Sequence, residues 1–392
     1  MINDKLVNYL NTLQSKGLYR TRKDTRNQKK ARVTCQNKTL INFCSNDYLG
    51  LSVNETVIYA LQKGAQEFGA GSGSAHLICG HSNAHHALEE ELADFTGRER
   101  SLLFSTGYMA NLGAITALCK HGDHIFEDKL NHASLLDGGL FSGATFKRYP
   151  HNDTARLSQL VSAATEGEKL IVTDGVFSMD GDVADLKTLS NIARKNAAWL
   201  MVDDAHGLGV LGKTGGGLIE TLQLSTEDVP ILMGTLGKAF GTFGAFIAGS
   251  DTLIETLIQS ARTYIYTTAL PPAIAQATRA SLKIVIKETW RREKLHALIT
   301  QFKAGAKQLH LPLMPSDSPI QPLLVGDSIL ATQMSEKLFE AGFLVSAIRP
   351  PTVPQGKARL RITLSALHEE EDINQLLDTL ALIHRSCSYN AK

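Results

Sequence analysis

The sequence predicts an α/β protein, a large domain with a mostly parallel sheet followed by a smaller C-terminal α/β domain. Three observations lead there. Between about Ser101 and Gly249, the short apolar runs LLFS, HIF, KLIVTD, AWLMVDD and PILMG alternate with amphipathic segments. Runs so short and continuous suit buried parallel strands, and the segments between them suit crossover helices. Leu157, Leu160, Val161 and Ala164 share one helical face, as do Leu186, Leu189 and Ile192. A long helix is expected after Pro271-Pro272, and beyond about residue 285 strands and helices mix, ending in EEEDINQLLDTLALIHRSC. The expected divisions are an N-terminal arm over 1–48, the large domain over 49–284 and the small domain over 285–392. The basic stretch from Arg20 to Arg32 reads as part of a solvated arm.

Composition narrows the class. The 392 residues are 43% hydrophobic and 20% charged, with 32 glycines, as in an ordinary α/β protein. Forty basic residues face 39 acidic ones, so no global field argues for nucleic acid or an anionic membrane. No apolar run reaches membrane-spanning length, and MINDKLVNYLNTLQ lacks a signal-type apolar core. Cysteines 35, 44, 79, 119 and 387 are odd in number and show no CxxC spacing. Neither a disulfide framework nor a metal site is expected, and a cytoplasmic location fits best.

In a parallel sheet, ligands bind at the carboxyl ends of the strands, so chemistry is sought there. LLFS leads through Thr106-Gly107-Tyr108 into a helical run, a geometry that exposes backbone N–H groups to an anion. On its own it is equally an ordinary βα turn. HIFEDKL leads to His132, which alone reads as a structural residue, and KLIVTD leads to Ser178, a hydroxyl at the same edge. AWLMVDD ends in Asp203 and Asp204, with His206 close behind. A buried carboxylate needs a cation or several donors, and either aspartate could be the one at the crevice.

The sharpest signal is Lys238, the only charge between Pro230 and Gly249. Apolar surroundings lower a lysine's pKa and favour the nucleophilic amine. The bland alternative is a lysine whose head reaches water. The small neighbours Gly237 and Ala239 favour the nucleophile. A dinucleotide reading of Gly207-Leu-Gly209-Val-Leu-Gly212 is weak, because Lys213-Thr-Gly-Gly-Gly217 cannot open a regular helix there. An anion site, a histidine, a serine, a carboxylate and a lysine nucleophile are together what pyridoxal 5'-phosphate (PLP) requires.

The residues also resemble a known family. FCSNDYLGL (43–51), GAGSGSAHLICG (69–80), FSTGYMAN (104–111), NHASLLDG (131–138), DGVFSMDGDVADL (174–186), VDDAHGLGVLGKTGGG (202–217), GTLGKAFGTFGAF (234–246) and AIRPPTVPQGKARLRITLSALHEEEDI (347–373) follow the order of the α-oxoamine synthases. Those enzymes have the fold-type I, aspartate-aminotransferase-like fold. They join an amino acid to an acyl thioester with loss of CO2.

The resemblance implies that Lys238 forms the Schiff base with PLP and that Asp203 partners its ring nitrogen. It implies that His206 donates to the ring oxygen, Ser178 touches the cofactor and His132 stacks on the ring. Gly107, Tyr108 and Thr235 would bind the phosphate, with Thr267 or Thr268 reaching it from the neighbouring subunit of a homodimer. Arg361 would hold the amino-acid carboxylate, with Asn46 beside the substrate, and Arg20 and Thr352 would meet the acyl group.

AIRPPTVP points to the branch that condenses L-alanine with a pimeloyl thioester, carried on coenzyme A or acyl-carrier protein, for biotin biosynthesis. Glycine C-acetyltransferase is the alternative within the family. Ala75 stands where glycine-using relatives tend to carry Thr, which leaves room for the alanine methyl.

Overall fold

The computed structural model describes residues 2–389, with side chains for all of these except Asn27 and 387–389, so Cys387 lies outside the described side chains. Cys35, Cys44, Cys79 and Cys119 are free thiols. No helix among the described residues is long and apolar enough to cross a membrane.

In chain order the strands are β1 (Thr25–Lys29), β2 (Arg32–Cys35), β3 (Lys38–Asn42), β4 (Arg100–Phe104), β5 (His124–Asp128), β6 (Thr145–Tyr149) and β7 (Lys169–Asp174). They continue as β8 (Trp199–Asp203), β9 (Ile231–Thr235), β10 (Ala245–Gly249), β11 (Ile320–Gly326), β12 (Phe343–Leu344), β13 (Ser346–Ile348) and β14 (Ala358–Thr363). The chain packs as two compact units. The larger comprises Asp47–Ser178 and Asp182–Arg292; the smaller comprises the residues up to Asn46, Met179–Gly181, and those from Glu293 onward.

The larger unit is built on a seven-stranded sheet in the order β4-β10-β9-β8-β7-β5-β6. Strands β9, β8, β7, β5 and β6 pair in parallel, and their central members are buried along nearly their whole length. Such strands need apolar residues on both faces, which is why they read as continuous runs and not as alternation. Strand β10 runs antiparallel to both β4 and β9. The LLFS run, expected among parallel strands, therefore pairs only with an antiparallel neighbour. Strand β6, TFKRY, is too polar to stand out in the sequence and forms the sheet edge.

The expected helical faces are present. Leu157 and Val161 are buried in helix Thr154–Ser162, and Leu186, Leu189 and Ile192 in helix Leu186–Lys195. The helix after Pro271 spans Pro272–Lys287. Gly212 opens no helix, the next one beginning at Gly217, as the glycine run requires.

The smaller unit holds the four-stranded sheet β1-β2-β3-β12 and the antiparallel sheet β11-β14-β13. The basic segment read as a solvated arm contributes β1 and β2, a hairpin whose second strand alternates half-buried and buried positions. Val33, Cys35 and Leu40 pack with Phe339 and Leu344, and β3 pairs with β12 in parallel. Burial of one face fixes the register, so the strands over 25–42 are a structured part of this unit.

The connection from β9 to β10 turns within the larger unit at Gly241, whose φ is +64°. A Cβ there would lie 2.3 Å from the backbone nitrogen of Ser52. Gly241→Ala is therefore expected to lower the unfolding free energy by about 1–3 kcal/mol, the usual cost of a strained backbone position. Urea denaturation of the two proteins measures it, and an unchanged midpoint would contradict the packing described.

Candidate active site

Parallel strands carry their carboxyl ends to one edge, and the chain leaving each strand there supplies one wall of a cavity of about 200 Å3. After β4, Thr106 caps helix Gly107–Leu118 by accepting from Met109 N at 3.2 Å. Gly107 and Tyr108, the first residues of that helix, line the cavity with N–H groups that have no carbonyl partner within the helix. Tyr108 donates its hydroxyl to Asp137. After β5 comes His132, the cap of helix Ala133–Phe141. Ser178 follows β7, Asp203 ends β8, and Thr235 ends β9.

Lys238 lies in the β9–β10 connection. Its neighbours Leu236, Ala239 and Phe240 are buried in the core, but Nζ reaches a polar wall, 2.8 Å from His206 Nε2. The apolar setting inferred for Lys238 thus describes its backbone neighbours, and the ammonium end meets a histidine. His206 Nδ1 lies 2.6 Å from the hydroxyl of Tyr48, a fully buried residue of the DYLGL segment.

Successive strand residues face opposite ways, and this separates the two aspartates. Asp203 lines the cavity, while Asp204 points into the protein and accepts from Leu218 N at 2.7 Å. Burial raises the Asp204 pKa to about 8. Asp203 accepts from Asn111 Nδ2 at 2.7 Å and from Ala205 N at 3.0 Å. Asn111 also donates to Ser134 Oγ at 2.9 Å, and that hydroxyl lies 2.7 Å from His132 Nδ1. The backbone N–H of Ser134 donates to the same Nδ1 at 3.3 Å.

Burial lowers the His132 pKa, the nearby Asp203 charge opposing and Lys238 reinforcing that effect. The ring is therefore neutral, and with Nδ1 accepting, its proton is on Nε2. The backbone N–H of His132 is held by Asp174 Oδ2 at 2.7 Å. Burial, and then the adjacent Asp203, keep the Asp174 carboxyl well above the usual carboxylate range.

Four polar residues of this site were not singled out from the sequence: Tyr48, Asn111, Ser134 and Asp174. Asn111 carried the clearest signal, as the only strongly polar side chain in GYMANLGAITAL apart from the Tyr and Thr hydroxyls. Asp174 ends β7 as Asp203 ends β8, and the two are register partners.

The remaining expected residues lie elsewhere. Thr267 and Thr268 belong to the larger unit but do not line this cavity. Thr267 donates to the Thr263 carbonyl, and the Thr268 carbonyl accepts from Ser105 Oγ at 3.1 Å. Arg361, Asn46, Arg20 and Thr352 belong to the smaller unit. Arg361, buried in β14, donates to Asn46 Oδ1 at 3.2 and 3.3 Å and to Thr363 Oγ1 at 2.9 Å. Arg20 Nη2 lies 3.5 Å from Thr352 Oγ1, and both line a cavity of about 580 Å3 with Lys23 and Arg349. Among that cavity's lining residues Glu336 is the one carboxylate.

The cavity of the larger unit fits PLP. A phosphate suits the start of the helix at Gly107, a ring nitrogen suits Asp203, and an aldehyde suits Lys238. Comparison with known proteins agrees. Residues 38–380 match the family model "Aminotransferase class I and II". The 8-amino-7-oxononanoate synthase of Saccharophagus degradans is 61% identical over 357 residues, 91% of this chain and 90% of that one.

Among solved structures, the 8-amino-7-oxononanoate synthase of Francisella tularensis superposes with a TM-score of 0.78 at 35% identity, covering 90% of this chain and 99% of that one. A serine palmitoyltransferase from S. paucimobilis, whose structure holds PLP joined to myriocin, gives a TM-score of 0.93 at 29% identity and covers 98% of each chain. Matched along nine-tenths of its length and carrying the cavity that such a cofactor requires, the chain belongs to the class I and II aminotransferase family, among the 8-amino-7-oxononanoate synthases.

Proposed function

We propose that this chain condenses L-alanine with a pimeloyl thioester, releasing CO2 and the free thiol and giving 8-amino-7-oxononanoate for biotin biosynthesis. The observation that carries this reading is the meeting of Lys238, His206, Asp203 and His132 in one cavity, in a chain 61% identical to such a synthase. PLP, when bound, supplies an electron sink for the pair left at the substrate Cα.

The chain's own groups do the rest. Asp203, fixed by Asn111 and Ala205, keeps a proton on the ring nitrogen. Lys238 would hold the cofactor through Nζ, and the same amine, once free, would accept the Cα proton of alanine. His206, at 2.8 Å from Nζ and backed by Tyr48, orients that amine and would contact the ring oxygen. His132 would cover the ring face and, with its proton on Nε2, would donate to the thioester oxygen as the new C–C bond forms. Ser178 adds a further cofactor contact.

Gly107, Tyr108 and Thr235 would hold the phosphate, with Thr267 or Thr268 contributed by the second subunit of a homodimer. Arg361, preset by Asn46 and Thr363, pairs with the alanine carboxylate. The basic cavity holding Arg20 and Thr352 suits the distal carboxylate of pimeloyl. The free thiols fit a reducing cytoplasm.

Steady-state assays across amino acids and acyl donors test the reaction. L-alanine with pimeloyl-CoA or pimeloyl-acyl-carrier protein should outpace glycine with acetyl-CoA. One methyl group is worth only about 1–3 kcal/mol in a pocket, so a preference over glycine is expected and not an absolute barrier. Faster turnover of glycine with acetyl-CoA would move the protein to the glycine-using branch.

Lys238→Ala should abolish turnover and the visible absorbance of the lysine-bound cofactor, while PLP is still retained through its phosphate. Near-normal activity would refute the assigned role.

The two aspartates should separate. Asp203→Asn should cut kcat roughly ten- to a hundredfold, the worth of a hydrogen bond to a charged group at about 1.5–3 kcal/mol. Asp204→Asn should retain most activity. Because Asp204 holds its proton up to about pH 8 when folded, its ionisation costs stability as pH rises from the ordinary carboxylate range through 8. Asp204→Asn should thus be at least as stable as wild type at about pH 9, measured by thermal unfolding. The opposite pattern of activities would exchange the two roles.

A further inference from the structure

Outside the cavity, one cluster of titratable groups is tied to two of the loops that line it. His151 follows β6, and each of its ring nitrogens meets a carboxylate: Nδ1 lies 3.0 Å from Asp128 Oδ1, and Nε2 lies 2.7 Å from Asp182 Oδ2. Its ring also packs edge-on against buried Phe177, with centroids 4.4 Å apart. All of these residues belong to the larger unit.

The two carboxylates have different jobs. Asp128 ends β5 and accepts from Leu130 N at 2.8 Å, so it shapes the turn that delivers His132. That turn is fixed further on, where Asn131 Oδ1 accepts from Asp174 N at 3.1 Å. Asp182 lies on the return from the β7 loop, and its carbonyl accepts from Phe177 N at 2.9 Å, next to Ser178. Asn152 repeats the bridge from its own position: its N–H donates to Asp128 Oδ2 at 2.7 Å and its amide to Asp182 Oδ2 at 3.3 Å and Val183 O at 3.2 Å.

We infer that His151 is a positioning residue for the cofactor site, a clamp that joins Asp128 to Asp182 and so fixes the loops carrying His132 and Ser178. This rests on the placement of PLP in the cavity proposed above. Burial alone would push the His151 pKa down, but its hydrogen bonds to Asp128 and Asp182 lift it to about 9. The clamp is thus a cation between two carboxylates at neutral pH, and hydrogen bonds to charged groups are the strong ones. A half-buried ion pair outside the cavity can therefore act on a ring it never touches.

The test compares wild type, His151→Gln and Asp182→Asn as holoenzymes and as apoproteins. It reads the PLP dissociation constant, the visible circular dichroism of PLP at saturation, and the thermal unfolding of the apoprotein. Both variants should bind PLP roughly tenfold more weakly, the loss of about one charge-assisted hydrogen bond. Both should show an altered visible dichroism, since the groups framing the ring have shifted, while the apoprotein midpoint moves little. Should His151→Gln not fold, Asp182→Asn decides.

Unchanged affinity and dichroism would overturn the clamp, as would a loss of affinity matched by wholesale loss of apoprotein stability. Wild-type protein that binds no PLP would sink the cofactor reading and this inference with it. Wild-type binding beside equally good binding by the variants would sink only the clamp.

Discussion

Two carboxyl groups, Asp174 and Asp203, end neighbouring strands in register, and most of the site is arranged around burying them side by side. Two like charges so placed cannot both persist at neutral pH. The conflict is settled by giving them unlike partners. Asp203 receives a side-chain amide and a backbone N–H. Asp174 is held well above the usual carboxylate range and spends an oxygen on the backbone of His132. Both side chains line the cavity, but Asp174 is tied to the backbone of His132 while Asp203 is held by Asn111 and Ala205.

Asn111 carries the consequence outward. Both of its amide hydrogens are used, one on Asp203 and one on Ser134, and Ser134 in turn meets His132 Nδ1. A single buried amide therefore sets the orientation of the carboxylate and, through a hydroxyl, the tautomer of the histidine. Networks of this kind are costly if one member is missing, because the stranded group stays buried. That cost gives the site a single arrangement before any ligand arrives, which is what preorganisation requires.

Much of this was legible beforehand, and what was not has physical reasons. Buried strands announce themselves as apolar runs, and Lys238 stood out because no other charge accompanies it for twenty residues. The residue pattern alone did not separate Asp203 from Asp204, since the alternation that does so depends on which face of β8 is left open; the family resemblance made that choice. Asn111, Ser134 and Tyr48 matter through distances across the fold, and no local pattern encodes a 2.7 Å approach between residues 111 and 203. The β1–β2 hairpin was hidden by its charge: Arg26 and Lys29 are exposed on β1, and half-buried Arg32, paired with Asp372, opens β2, which buries only alternate residues. The antiparallel β10 escaped notice because an apolar run carries no sign of its direction.

The state of His132 follows from the same electrostatics. An imidazolium at that position would be drawn to Asp203, but it would also be repelled by Lys238 and stripped of water, and burial is the largest of these effects. The ring stays neutral as a result. A neutral ring can lie flat over an aromatic cofactor without bringing a second positive charge beside a protonated ring nitrogen, which an imidazolium could not do. It also keeps one N–H to offer, and the Ser134 hydrogen bonds at Nδ1 leave that N–H at Nε2. The two roles proposed for His132, stacking on the cofactor and recognition of a substrate oxygen, would thus be compatible in one side chain only while it is uncharged, and burial keeps it so.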